Sequence, residues 1–160
     1  MLPRTFARST SLAVLLTVAA ALLMVSHVAL RAASDPWTST QTVQPADLLK
    51  ELSDSKSAPT IVFVGFNRLY TAGHIKGAQN HGMAGNEAGL LELKTWASSL
   101  PRSTKLVIYC GCCPMDRCPN LRPAFAALRD LGFTKLRVLL LPTDFAMDWA
   151  AKGYPYDRGQ

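Results

Sequence analysis

The chain has 160 residues and a mass of 17.4 kDa, room for one ordinary domain, so a two-domain enzyme is excluded. At 49% hydrophobic and 18% charged residues it is neither a disordered chain nor a coiled coil. The formal charge is +6, but three of the arginines (Arg4, Arg8 and Arg31) lie in the first 33 residues, and without them it falls to +3. No basic run remains downstream, so nucleic-acid binding has no support. A mild positive balance does suit a site for small anions.

From Leu12 to Leu30 there is no formal charge, and Arg4 and Arg8 precede this stretch. That is the basic start and apolar middle of a secretory signal. Leu30 and Arg31 disturb the small-residue cleavage pattern before Ala32 and Ala33, and the nineteen uncharged residues could also span a bilayer as an uncleaved anchor. Residues 1–33 are therefore expected to be a signal peptide or N-terminal membrane anchor, 34–42 a lead-in, and 43–157 the folded domain. Both alternatives place that domain outside the cytoplasmic membrane, periplasmic or secreted. Membrane contact is expected only through residues 12–30, if they are retained.

In the lead-in, Trp37 is a candidate anchor onto the domain. Pro45 at a first-turn position, followed by Leu48, Leu49 and Leu52, predicts a short amphipathic helix. Residues 60–64 (Thr-Ile-Val-Phe-Val) form an uninterrupted apolar run, the pattern of a strand covered on both faces. Tyr70 to Ala78, with Gly73 and Gly77, reads as a turn-rich connection. Leu90, Leu91, Leu93 and Trp96 predict a helix over 87–98, closed by Pro101. Residues 105–109 predict a second buried strand. Asn120 is placed to cap a helix over about 121–131, and Pro123 sits in its tolerated first turn. Residues 136–141 predict a third strand, and 144–151 a last short helix before Gly153. Strands alternating with helices predict an α/β fold: a single three-layer domain, its mainly parallel sheet flanked by helices.

All four cysteines, Cys110, Cys112, Cys113 and Cys118, fall within nine residues. A disulfide scaffold would spread its cysteines across the chain, so this group serves something local. The order strand, cysteine loop, helix over 105–131 places the loop where parallel α/β sheets bind ligands. Backbone N–H groups at a helix N-terminus lower a cysteine pKa and hold an anion beside it. Cys110, directly after the strand, is the candidate nucleophile. Arg117 in the same loop, and Arg122, are candidate anion-binding residues. His81 stands in a glycine-flanked loop as either an exposed ring or a ligand, and His27 lies in the leader. No pair of histidines has metal-ligand spacing, and no metal or cofactor is expected.

Four features in order make the chain resemble the rhodanese family from about Val43 to Tyr156. Ala72-Gly-His-Ile-Lys-Gly-Ala78 resembles that family's Gly-His-Ile-x-Gly-Ala signature, which makes Gly73, His74 and Gly77 structural signature residues. Ile108-Tyr-Cys110 resembles the strand leading into its active-site cysteine. Leu131-Gly-Phe133 with residues 136–139, and then Trp149 with Gly153-Tyr-Pro155, match its C-terminal third. The departures are also specific. Phe63-Val-Gly65 stands where the family has an Asp-x-Arg pair, and Pro142-Thr143 replaces a Gly-Gly. The cysteine loop is longer by about five residues. The family's spacing of a cysteine, four residues and an arginine points, measured to Arg117, to Cys112, while the strand junction points to Cys110, which we favour. Phosphatases of this fold have five residues between cysteine and arginine; here six separate Cys110 from Arg117.

The resemblance implies a sulfurtransferase that passes sulfane sulfur through a persulfide on Cys110. Its partners would be a small anionic sulfur donor and a thiol or cyanide acceptor. The alternatives are a thiol–disulfide oxidoreductase using Cys110 and Cys113, a cysteine metal site, or an inactive binding module of the same fold. Cys112, Cys113 and Cys118 are expected to be auxiliary redox residues. Cys113–Cys118 is the expected disulfide if one forms, with Cys112 a resolving thiol and Cys110 the most reactive.

Overall fold

The computed structural model describes residues 35–159. The expected signal or anchor at residues 1–33, and Ser34 of the lead-in, lie outside the described residues. Among the described residues, no helix is long and apolar enough to cross a membrane.

Successive side chains of a strand point to opposite faces, so a strand covered on both sides must be apolar throughout. Strand β2 (Thr60–Phe63) and strand β5 (Leu106–Tyr109) meet this condition and pair in parallel, with Thr60 opposite Leu106 and Phe63 opposite Tyr109. Strand β6 (Leu136–Leu139) continues the sheet beyond β5. Strand β1 (Thr42–Val43) closes that edge against β6, and strand β4 (Gln79–Asn80) closes the other against β2. The result is an all-parallel sheet of five strands in the order β1-β6-β5-β2-β4, with β5 at its centre.

Helices cover both faces, as expected from the alternation of elements. Helix α3 (Glu87–Ser98) and helix α4 (Leu121–Asp130) pack on the face that presents Val62, Val64, Leu106 and Ile108. The opposite face, with Ile61, Phe63, Val107 and Tyr109, is covered by Leu48 of helix α1 (Pro45–Ser53), Tyr70 of helix α2 (Asn67–Ala72) and Trp149. Helix α5 (Phe145–Asp148) starts at Asp144, whose carboxylate accepts the Met147 backbone N–H at 2.8 Å. A small antiparallel pair, β3 (His74–Ile75) with β7 (Tyr156–Asp157), brings the C-terminus back beside the main sheet.

Three features differ from the sequence reading. The segment around Tyr70 to Ala78 contains the end of α2 and strand β3, elements too short to show a period of their own. The lead-in ends in strand β1, and its Trp37 is only 8% exposed, packed edge-on against Phe125 at 5.5 Å. Asn120 precedes α4 but makes no capping bond, because its side chain is turned inward.

Glu51 on α1 and Arg137 on β6 form a half-buried, two-pronged ion pair, one arm 2.8 Å long. The hydrogen bond from Arg137 holds the Glu51 carboxyl below its ordinary value. A carboxylate lowered in the folded state stabilises the fold above its unfolded pKa, and that contribution is lost as pH falls through the folded value. The melting temperature of wild type should therefore exceed that of Arg137→Gln at neutral pH, and the gap should shrink below about pH 4. A gap constant across that range would contradict it.

Candidate active site

Alternation along β5 continues into the loop: Leu106, Ile108 and Cys110 share the face covered by α3 and α4. Cys110 is the first residue past the carboxyl end of the central strand. Gly111 then turns the chain with φ +71°, and a Cβ there would lie 2.7 Å from that of Phe145. Its carbonyl accepts the Phe145 N–H at 3.2 Å, and the Met115 N–H reaches the Leu141 carbonyl at 3.2 Å. Both contacts bind the loop to the chain beyond β6. A 3₁₀ turn, Met115–Arg117, then carries Cys118 back into the core just before α4.

The four cysteines are free thiols. Cys110 and Cys118 are each 1% exposed, and Cys112 and Cys113 are half-buried. The Cys110 and Cys112 sulfurs are 3.2 Å apart, and those of Cys112 and Cys113 are 3.0 Å apart. The sulfurs of Cys110, Cys112 and Cys118 all lie within 4.8 Å of one another. The 3₁₀ turn places Cys118 in a trio with Cys110 and Cys112, and Cys113 adjoins Cys112; with all four thiols reduced, the Cys113–Cys118 pairing expected on oxidation is not formed.

The electrostatics also differ from the expectation. The Cys110 thiol donates to Cys112 at 3.2 Å, and the Cys118 sulfur lies beside Cys110 and at the backbone N–H groups of Asn120 and Leu121, at the start of α4. Against the opposing effect of burial, Cys110 and these N–H groups pull Cys118 down to about 6. The adjoining Cys118 and its own burial push Cys110 well above the ordinary thiol range. Cys113 is pushed up to about 12, chiefly by burial. Helix amides were expected to reach Cys110; they reach Cys118, because Cys118 and not Cys110 adjoins the helix start.

Cys110, Gly111 and Cys112 line a cleft of about 330 Å³ whose other walls include Phe63, Leu69, Gly73, Phe145 and Tyr156. The charged side chains in its lining are Asp144 and Arg158. Arg117 is exposed on the 3₁₀ turn and is not part of the lining. Arg122, expected to add charge at the site, is paired with Asp35 at 2.6 Å, its guanidinium 6.0 Å from the Trp37 ring centre. It sits in the first turn of α4, facing the lead-in. The arginine that lines the cleft, Arg158, was missed; it arrives through strand β7, whose pairing with β3 has no sequence signal.

Two further residues were not foreseen at the site. Asn120, 1% exposed, donates its Nδ2–H to Cys110 Sγ at 3.3 Å and accepts the Gly85 N–H on Oδ1 at 2.8 Å. Gly65 faces the same sulfur: a Cβ there would lie 2.9 Å from Cys110 Sγ and 2.7 Å from the Phe63 ring. Gly65→Ala should therefore displace Cys110 or Phe63, destabilising the fold by about 1–3 kcal/mol. Alkylation of Cys110 should change measurably, and any turnover should fall by about a hundredfold for a displacement near 1 Å. Unchanged urea midpoint and alkylation rate would show that the site has slack.

His74 is buried, stacked on Tyr70 at 3.7 Å, with Nδ1 2.8 Å from the Tyr70 carbonyl. The Tyr109 hydroxyl accepts the Ile75 N–H at 2.9 Å, joining β3 to the central strand. Gly73 lines the cleft, and Gly77 turns the chain with φ +78°. His81 stacks on Trp96 at 3.9 Å, and burial lowers its pKa.

A parallel sheet with a thiol cluster between its central strand and the following helix defines an α/β protein with a cysteine-centred site. Similarity to solved structures gives the class. A rhodanese-like domain from Anabaena sp. is 27% identical with a TM-score of 0.54, the match covering 74% of this chain and 79% of that one. A thiosulfate sulfurtransferase from Pseudomonas aeruginosa is 20% identical with a TM-score of 0.52, over 74% of this chain and 19% of that one. EanB, captured as a cysteine persulfide with ergothioneine, is 20% identical with a TM-score of 0.55, over 73% and 28%. No family model and no curated protein matches the chain. The chain has a rhodanese-like fold.

Proposed function

We propose that the protein is an extracytoplasmic sulfurtransferase in which Cys110 carries sulfane sulfur as a persulfide. The observation that carries this reading is the position of Cys110, at the carboxyl end of the central strand and in the wall of the cleft. A thiosulfate sulfurtransferase and a cysteine-persulfide enzyme share this fold, which supports the same chemistry here. The leader, with Arg4 and Arg8 before the uncharged stretch 12–30, supports the location.

In the first half-reaction Cys110 reacts as the thiolate, its proton lost to solvent. The Cys110 sulfur attacks the outer sulfur of a donor such as thiosulfate, the donor's S–S bond breaks, and sulfite leaves with the electron pair. Arg158 in the cleft lining pairs with the anionic end of the donor. A thiol or cyanide then attacks the outer sulfur of the persulfide and returns Cys110 to its starting state. Asn120 holds the Cys110 sulfur throughout. Thiosulfate:cyanide transfer assayed beside hydrolysis of an aryl phosphate tests this reading: thiocyanate without phosphate release is expected, and phosphate release without thiocyanate would overturn it.

The Cys110–Cys112 contact of 3.2 Å favours thiol–disulfide exchange as a second reading. That reading requires a reversible two-electron couple and no persulfide.

A further inference from the structure

The trio of sulfurs has a capacity that sulfur transfer does not use. Cys110, Cys112 and Cys118 come from the strand end, the loop and the helix start, yet their Sγ atoms lie within 4.8 Å of one another. A metal–sulfur bond of about 2.3 Å requires sulfurs about 4 Å apart in a three-coordinate site. The 3.2 Å between Cys110 and Cys112 must therefore open by less than 1 Å, and half-buried Cys112, on the loop, has room to move. We propose that these three cysteines form an all-sulfur site for one monovalent copper ion.

The donor set selects the ion. Three thiolates with no imidazole or carboxylate in the cluster suit a soft cation. Zinc in a closed protein site takes four ligands; the Cys113 sulfur, though 3.0 Å from Cys112, is not within 4.8 Å of all three sulfurs of the trio. The adjacency of Cys112 and Cys113 argues against a four-cysteine tetrahedron, but it does not touch a three-sulfur site that omits Cys113. Two of the three sulfurs belong to the apolar cluster under α3 and α4, which keeps water from the ion. The negative charge of the ligands is offset by the Asn120 amide at Cys110 and by the first backbone N–H groups of α4 at Cys118. Binding replaces the thiol protons, which pass to solvent, and because the copper enters already monovalent no oxidant or reductant takes part. Copper and a persulfide on Cys110 exclude one another.

The test uses the full chain, reduced and anaerobic, titrated with monovalent copper against a chromophoric chelator such as bicinchoninate. Wild type should take one equivalent from the chelator, and X-ray absorption of that sample should count three sulfurs around the metal. Cys113→Ser should keep the copper, while Cys112→Ser and Cys118→Ser should each weaken binding by about tenfold or more. The absorption measurement needs only the wild type, so misfolding of a variant does not blunt the test. Copper left with the chelator, fewer than three sulfurs in the shell, or zinc displacing copper with a four-ligand shell would each overturn the proposal.

Discussion

Cys110→Ser should abolish sulfur transfer, lowering turnover by about four orders of magnitude or more, as loss of the nucleophile does in covalent catalysis. A hydroxyl differs little from a thiol in size but is a far poorer nucleophile toward sulfane sulfur. Among the four cysteines, only Cys110 is both at the end of the central strand and in the cleft wall while also touching Asn120 and Gly65. Cys112 shares the cleft but sits past the Gly111 turn, with its sulfur against Cys113. Cys112→Ser should therefore retain substantially more activity than Cys110→Ser, in a thiosulfate:cyanide assay with circular dichroism confirming the fold. The reverse order would move the nucleophile to Cys112, the residue to which the spacing from Arg117 points.

Asn120→Leu should lower the stability of the fold. The substitution keeps side-chain size but removes two hydrogen bonds, leaving the Gly85 N–H without its acceptor and the Cys110 sulfur without its amide donor. An orphaned buried donor costs about 1–3 kcal/mol, read as a lower urea midpoint. Asn120→Asp separates the two roles. Its carboxylate can still accept from Gly85, but it offers no donor to Cys110 and places negative charge beside the sulfur. For this second variant slowed Cys110 alkylation is expected, with a loss of stability from the buried carboxylate that shrinks as pH falls and the group is protonated. Cys110 alkylation unchanged in the aspartate variant would show that the amide donor does not serve the sulfur.

The central sheet was legible because β2 and β5 are apolar runs, which only burial on both faces explains, and β6 is apolar but for Arg137. The short strands β1, β3, β4 and β7 were not, since two residues carry no periodic signal. The location of the site followed from the strand–loop–helix order, which puts a cysteine at the carboxyl end of a parallel strand. Its internal wiring did not follow. Which thiol receives the helix amides depends on the 3₁₀ turn at Met115–Arg117, whose residues give no sign that Cys118 will be turned inward. Gly65 meets Cys110 through the parallel register of β2 and β5, in which Phe63 lies opposite Tyr109. In the sequence, Gly65 stood out only as a departure from a family pair. Asn120 reads naturally as a helix cap, and only burial shows that its amide serves the sulfur instead. Arg158 lies near the chain end, and its place at the cleft depends on two short strands pairing far from each other in sequence.

The most direct measurement is mass spectrometry of the reduced protein after anaerobic exposure to thiosulfate, with persulfides trapped by alkylation and mapped to peptides. Sulfur transfer through Cys110 predicts a gain of one sulfur atom, located on Cys110 and removed by cyanide. Unchanged mass, or the added sulfur on another cysteine with Cys110 unmodified throughout, would contradict it.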